Sequence, residues 1–179
     1  MIDVRGKVDP FEYLIETERL LKGDGLFLVS AGEDGKANAM TIGWGLIGTI
    51  WRKPFFLVAV RPSRFTHHLI EESGEFTVCL PARGMEQALE FCGTKSGRDV
   101  DKFRALNLTP VKGFEVDVPY IAECPVHYEC RVAYKTDLKP EALEEELRGE
   151  CYPAGDYHTL YFGLILGVYA EEDARDRLP

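Results

Sequence analysis

The sequence predicts a mainly β protein, an antiparallel barrel carrying short helical decorations. Three observations carry this. Short apolar or alternating runs recur between turn signals rich in Gly, Pro, Asp and Glu, which is how successive strands read. Residues 126–134 and 157–170 alternate in the two-residue period of a half-buried strand. No regular strand–helix–strand alternation appears, which disfavours a doubly wound parallel sheet. A chain of 179 residues fits one domain, 1–179, and a domain of about 150 residues buries roughly 70% of its unfolded surface.

The elements follow in order. Asp9, Pro10 and Glu12 read as a cap, a first-turn proline and a capping-box carboxylate, predicting a helix over about 10–22 that stops at Gly23. Phe11, Leu14, Ile15 and Leu21 then share one face. Strands at 26–31 and from 37 onward flank a turn at Glu33-Asp34-Gly35-Lys36. Residues 54–60 are almost wholly apolar, as in a strand covered on both faces. A short helix at 65–72 and a strand at 75–80 follow. Two short helices are expected between 85 and 106, broken around Gly93 to Gly97. On the next strand Val126, Tyr128, Cys130, Val132 and Tyr134 share a face; residues 140–148 form an acidic, solvated excursion. In the last strand the even positions Leu160, Phe162, Leu164, Leu166 and Val168 are apolar, and the odd ones are mixed and rich in aromatics. One face enters a core, and the other needs a cover, either a helix or a second subunit.

The stretch from Asn38 to Leu69 carries the functional signal. Gly43, Gly45 and Gly48 leave a backbone on which a flat ligand can lie, although strand glycines also mark bulges and barrel corners. Arg61, Ser63, Arg64 and Thr66 then offer donors suited to a phosphate where the chain enters a helix. A flat ring joined to a phosphate describes flavin mononucleotide (FMN). The formal net charge of −9 excludes nucleic acid and anionic membrane as expected partners, since both need a positive surface. Five cysteines, an odd number, without a recognisable signal peptide fit a reducing cytosol, so a cytoplasmic protein is expected. No apolar run approaches the roughly 18 residues of a membrane span.

Four segments together resemble the flavin reductase-like family, over about residues 25–170. Asn38-Ala39-Met40-Thr41, with Trp44 and the strand after Pro54, is similar to the family's flavin-contacting strand. Arg61-Pro62-Ser63-Arg64-Phe65-Thr66 is similar to its phosphate-binding turn. Cys92-Gly93-Thr94-Lys95-Ser96-Gly97, followed by Lys102-Phe103, resembles its Cys-Gly-x-x-Ser-Gly loop. Gly155-Asp156 and His158, before Tyr161-Phe162-Gly163, resemble its Gly-Asp-His signature, with one departure: Tyr157 separates Asp156 from His158. An inserted residue at a strand start turns the next side chain to the other face.

The resemblance implies an FMN-binding split barrel and a homodimer. It implies that Met40, Thr41, Ile42, Gly43 and Trp44 edge the isoalloxazine, with Thr41 adding a hydroxyl. Arg61, Ser63, Arg64 and Thr66 would hold the phosphate. Ser96, Gly97 and Lys102 would close over the cofactor, in this family often from the partner subunit, and His158 would touch nicotinamide or flavin. The implied activity is hydride transfer from NADH or NADPH to FMN and onward to free flavin, ferric chelate or a protein. A flavoredoxin-like carrier serving protein partners is the alternative, and a split barrel binding some other small molecule is a third. Trp44 suits a barrel core as well as a ring contact, and His67 and His68 read as helix-surface residues. Cys124, His127 and Cys130 look like metal ligands only if the strand turns at Pro125; extended, the thiols would stand about 20 Å apart, so no metal is expected.

Overall fold

The computed structural model describes residues 5–179; the first four, part of the N-terminal stretch read for a signal peptide, lie outside the described residues. In order the elements are β1 (Gly6–Val8), α1 (Leu14–Lys22), β2 (Leu26–Ala31), β3 (Ala37–Ile42), β4 (Gly45–Ile50), β5 (Lys53–Val60), α2 (Phe65–Ser73) and β6 (Glu75–Leu80). Then come α3 (Glu86–Thr94), α4 (Lys102–Leu106), β7 (Pro110–Val111), β8 (Tyr120–Ile121), β9 (Val126–Asp137), a 3-10 turn (Pro140–Ala142), α5 (Glu145–Cys151), β10 (Thr159–Ala170) and α6 (Ala174–Arg177).

The main sheet is ordered β3-β2-β6-β9-β10-β5-β4, with β1 added to β10, and all its ladders are antiparallel. β3 and β4 stand at opposite ends of that order yet are joined by only Gly43 and Trp44. The sheet must therefore curl until its edges meet, and no ladder joins those edges among the described residues. This is an antiparallel split barrel. Its interior holds Leu26, Leu28, Phe56, Val58, Phe76, Val78, Tyr128 and Tyr161. Outside β2 and β6 a second layer packs Phe27, Val29 and Cys79 against Leu89, Cys92 and Phe103 of α3 and α4. Two covered faces explain why β2 is buried at every position. Among the described residues no helix is long and apolar enough to cross a membrane.

The first helix departs from expectation. Asp9 does cap the Phe11 amide, at 2.9 Å. Residues 10–13, however, form tight turns (Glu12 N–H to Asp9 O, 3.0 Å), and α1 starts only at Leu14. Glu12 does not reach back, because its carboxylate accepts from Arg175. The later start rotates the helix, so Tyr13, Thr17, Leu20 and Leu21 are buried while Ile15 is 65% exposed. Similarly, α3 runs through Gly93, and the break falls at 95–101, closed by Asp101 accepting from the Arg104 amide.

In β10 the odd positions face the core as far as Ile165; past the register shift between Ile165 and Gly167 the even positions Val168 and Ala170 do. Gly163 is required there: a Cβ would lie 2.3 Å from Phe76 Cζ. The even positions Leu160, Phe162 and Leu164 are only half-buried. Paired residues point to the same side of a sheet. Leu46, Leu57, Phe162 and Tyr134 therefore form one outward row across β4, β5, β10 and β9, with Leu46 62% and Tyr134 50% exposed.

Candidate functional site

Two adjoining cavities, of about 370 and about 190 Å³, share Met40, Arg61 and Arg64. The larger lies between β3, the turn after β5 and the break between α3 and α4, and it takes in Ser63, Thr66, Ser96, Gly97 and Lys102. The smaller opens at the seam of the barrel, where Thr41, Ile42, Gly43, Trp44 and His158 line it. The residues that the resemblance implies would edge the ring, hold the phosphate or close the site all line one or the other. Together they are of a size that small-molecule sites occupy, roughly 300–1,000 Å³.

Four cations, Arg61, Arg64, Lys95 and Lys102, line the larger cavity. β5 ends at Val60, and Arg64 stands extended as the cap of α2. The first amides of that helix thus face the cavity, with the positive end of the helix dipole behind them. Ser63 already binds a negative group: its amide (3.3 Å) and hydroxyl (2.6 Å) both donate to the carboxylate of Asp156. Arg64 donates to the Gly93 carbonyl at 3.1 Å, which leaves most of a five-donor guanidinium for the cavity. Arg61 is committed otherwise. It donates to the carbonyls of Cys151 (3.0 Å), Gly155 (3.4 Å) and Asp156 (3.1 Å) and lies over the Tyr152 ring. Its main work is to fasten the end of the acidic excursion to the turn.

The walls are held by side chains that hydrogen-bond within the fold. Thr66 is 1% exposed, and its hydroxyl accepts from Asn38 Nδ2 at 2.9 Å. Position 97 must be glycine, since a Cβ would come within 2.1 Å of Asn38 Oδ1. Lys102 is 4% exposed and donates to Ala39 O (2.7 Å) and Cys92 O (2.8 Å). Burial pushes its pKa below the usual lysine value; the Cys92 thiol opposes this and Arg64 adds to it. Lys102 therefore closes the cavity of its own chain. Burial pushes the Cys92 thiol up to about 11, so it is an inert wall residue.

In the smaller cavity two expectations change. The Thr41 hydroxyl donates to the Leu89 carbonyl at 2.5 Å, pinning α3, so only its backbone serves the cavity. Of the three glycines only Gly43 lines the cleft. Gly45 is needed because a Cβ would lie 2.8 Å from Leu57 O, and Gly48 has open space around it. Trp44 is a wall residue, 45% exposed, with its ring 4.7 Å from that of His158. Gly155 (φ 78°) and Asp156 (φ 58°) both take left-handed conformations. That turn absorbs the inserted Tyr157, and His158 faces the cleft at 8% exposure. His158 Nδ1 lies 2.7 Å from Tyr152 Oη.

Asn38, Tyr152 and Asp156 are the members that reading the sequence for site residues missed. Asn38 begins the glycine-spaced stretch, and Asp156 belongs to the Gly155-Asp156 and His158 signature. Tyr152 gave no signal, lying just past the 140–148 segment read as solvated. His67 and His68 line neither cavity; His67 bonds Thr159 at 3.1 Å and His68 pairs with Glu72 at 2.9 Å. Cys130 faces the barrel interior, Cys124 lies in the outer layer, and His127 bonds Glu129 at 3.0 Å, so these three do not converge.

The "Flavin reductase like domain" profile matches residues 23–178. An uncharacterized protein of Archaeoglobus fulgidus is 33% identical over 153 residues, covering 86% of this chain and 76% of its own. Among solved structures, a flavoredoxin of Desulfovibrio vulgaris (Miyazaki F) is similar at 28% identity and TM-score 0.68, over 87% of this chain and 74% of that one. A flavoredoxin from Methanosarcina acetivorans matches at 29% identity and TM-score 0.67, over 83% and 69%.

Burial and, next, Arg61 push the His158 pKa down to about 4, against the opposing pull of Asp156. The unfolded chain, with a histidine pKa near ~6.5, takes up the proton first. The stability contributed by neutral His158 is therefore complete above about pH 6.5 and is lost as pH falls toward 4. An NMR titration of the imidazole should show its midpoint close to 4; an ordinary histidine midpoint would place the ring in solvent.

Proposed function

Because the chain belongs to the flavin reductase-like family, we propose that the two cavities hold one FMN and that the protein is an NAD(P)H-dependent flavin reductase. Nicotinamide is the hydride donor, and free flavin, ferric chelate or a protein is the final acceptor. One observation carries the reading: an anion-binding turn and an open glycine–tryptophan wall share Met40, Arg61 and Arg64. A ligand with a phosphate at one end and a flat ring at the other fits that continuity.

The donors present suit the cofactor. Ser63, Arg64, Thr66 and the first amides of α2 would hold the phosphate, taking the place where the Asp156 carboxylate now meets Ser63. The backbone from Met40 to Trp44 would edge the ring, and Trp44 and His158 would bound its far side. Ser96, Gly97 and Lys102 close the site from the same chain, and Lys102 brings a buried positive charge. FMN, when bound, supplies the hydride and electron chemistry; the protein binds, orients and excludes water.

A second reading has its own support. The solved relatives quoted above carry the name flavoredoxin, and a net charge of −9 suits docking to a basic redox partner. The protein would then carry electrons on FMN between proteins without oxidising nicotinamide. The chain is further proposed to act as a homodimer through the outer row of Leu46, Leu57, Phe162 and Tyr134, which borders the cleft at Ala59 and Leu160.

The visible spectrum of protein loaded with FMN, mixed anaerobically with NADH or NADPH, should bleach on a catalytic timescale. Bleaching only by a reduced redox protein would favour the carrier, and no uptake of FMN would remove both readings. Arg64→Ala should weaken FMN binding by about 1.5–3 kcal/mol, the range for hydrogen bonds to charged groups; an unchanged titration would put the phosphate elsewhere. Light scattering should give a dimer at micromolar concentration and a monomer for Phe162→Glu. A wild-type monomer would leave that apolar row without its proposed partner.

A further inference from the structure

The acidic excursion ends in a side chain that the proposed site uses. Tyr152 follows α5 and is 6% exposed, between the ring of Tyr157 (centroids 4.8 Å apart) and the guanidinium of Arg61 (5.0 Å from its centroid). The Trp44 ring stands nearly perpendicular to it, with centroids 6.1 Å apart. Arg61 also holds the carbonyls of Cys151, Gly155 and Asp156, so the phenol is gripped on its ring and through its backbone. Its oxygen meets His158 Nδ1 at 2.7 Å. Among the described residues the main-chain amide of His158 also draws on that oxygen.

We infer that Tyr152 is a positioning residue that locks His158 as a neutral imidazole presenting an Nε2–H donor to the cleft. A neutral imidazole has one N–H and one bare nitrogen. Were Nδ1 the protonated nitrogen, it would donate to the phenol oxygen, and the tyrosine proton would have no acceptor among the described residues. With the phenol donating to Nδ1, both buried groups are satisfied, and the proton sits on Nε2. That nitrogen makes no hydrogen bond among the described residues, and the ring lines the cleft. A fixed N–H there favours a ligand that presents an acceptor atom, such as a carboxamide or ring carbonyl oxygen, over one that presents a donor, and it disfavours a cation. The excursion thus has a function: it carries the group that sets the histidine's tautomer.

The choice of ligand rests on the flavin reading, but the tautomer does not, so the two can fail separately. Imidazole ¹H–¹⁵N long-range correlation spectra of ligand-free, ¹⁵N-labelled protein at neutral pH should show His158 protonated at Nε2 and bare at Nδ1. In Tyr152→Phe, which removes only the phenol O–H, that pattern should give way to mixed tautomers. A wild-type ring protonated at Nδ1 overturns the inference even if the variant fails to fold, and an unchanged pattern in a folded variant overturns it too. In the FMN-loaded protein the same variant should slow nicotinamide-driven bleaching about five- to tenfold, the worth of one hydrogen bond, with FMN affinity kept. Unaltered bleaching would overturn the claim that the fixed donor serves the ligand.

Discussion

The Arg61 guanidinium is the contact on which the site depends. It stands at the exit of β5 and donates to three carbonyls of the segment that leads into β10. β5 and β10 are already paired, with Val60 opposite Thr159, so Arg61 prolongs that pairing past the end of the ladder. Its ring contact seats Tyr152, which seats His158. After burial it is also the largest influence keeping that histidine neutral. A lysine could not do this, because a single ammonium has neither the fork to span several carbonyls nor the plane to stack on a phenol.

The barrel's seam explains where the cavities lie. Sheet edges expose unpaired backbone, and this fold leaves its edges unladdered at Gly43 and Trp44. The Trp44 carbonyl still accepts from the Ala59 amide at 3.3 Å, so it is the outer edge of β3 that lacks a strand partner among the described residues. Around it the polar side chains are spent on architecture: Thr41 pins α3, Asn38 holds Thr66, and Lys102 ties two carbonyls together. Commitments of this kind keep the cavity walls rigid, as a preorganised site requires.

Charge is arranged with the same economy. The phosphate-like position is already met by an internal carboxylate, Asp156, on a turn whose left-handed backbone puts it there. Any anion entering must compete with it for Ser63. Acidic residues dominate the surface, and the cations that matter are those gathered at one turn. With a net charge of −9, that turn is a local exception in an acidic chain.

What the sequence determined by itself is what acts over a few residues. Alternation and turn chemistry marked the strands, several to the residue, because side-chain period and turn preference are local properties. The Arg61-to-Thr66 turn was legible for the same reason. The start of α1 was not, since Glu12 prefers Arg175, 163 positions away, to its own helix. Nor was the left-handed Trp51-Arg52 turn between β4 and β5, which has no glycine to announce it. Only the tertiary structure decided which donors stay available. Arg61 bonds a carbonyl 90 positions away, and Thr41 one 48 away. Hydrogen-bond capacity is consumed by whatever the fold brings near, and spacing along the chain carries no record of it.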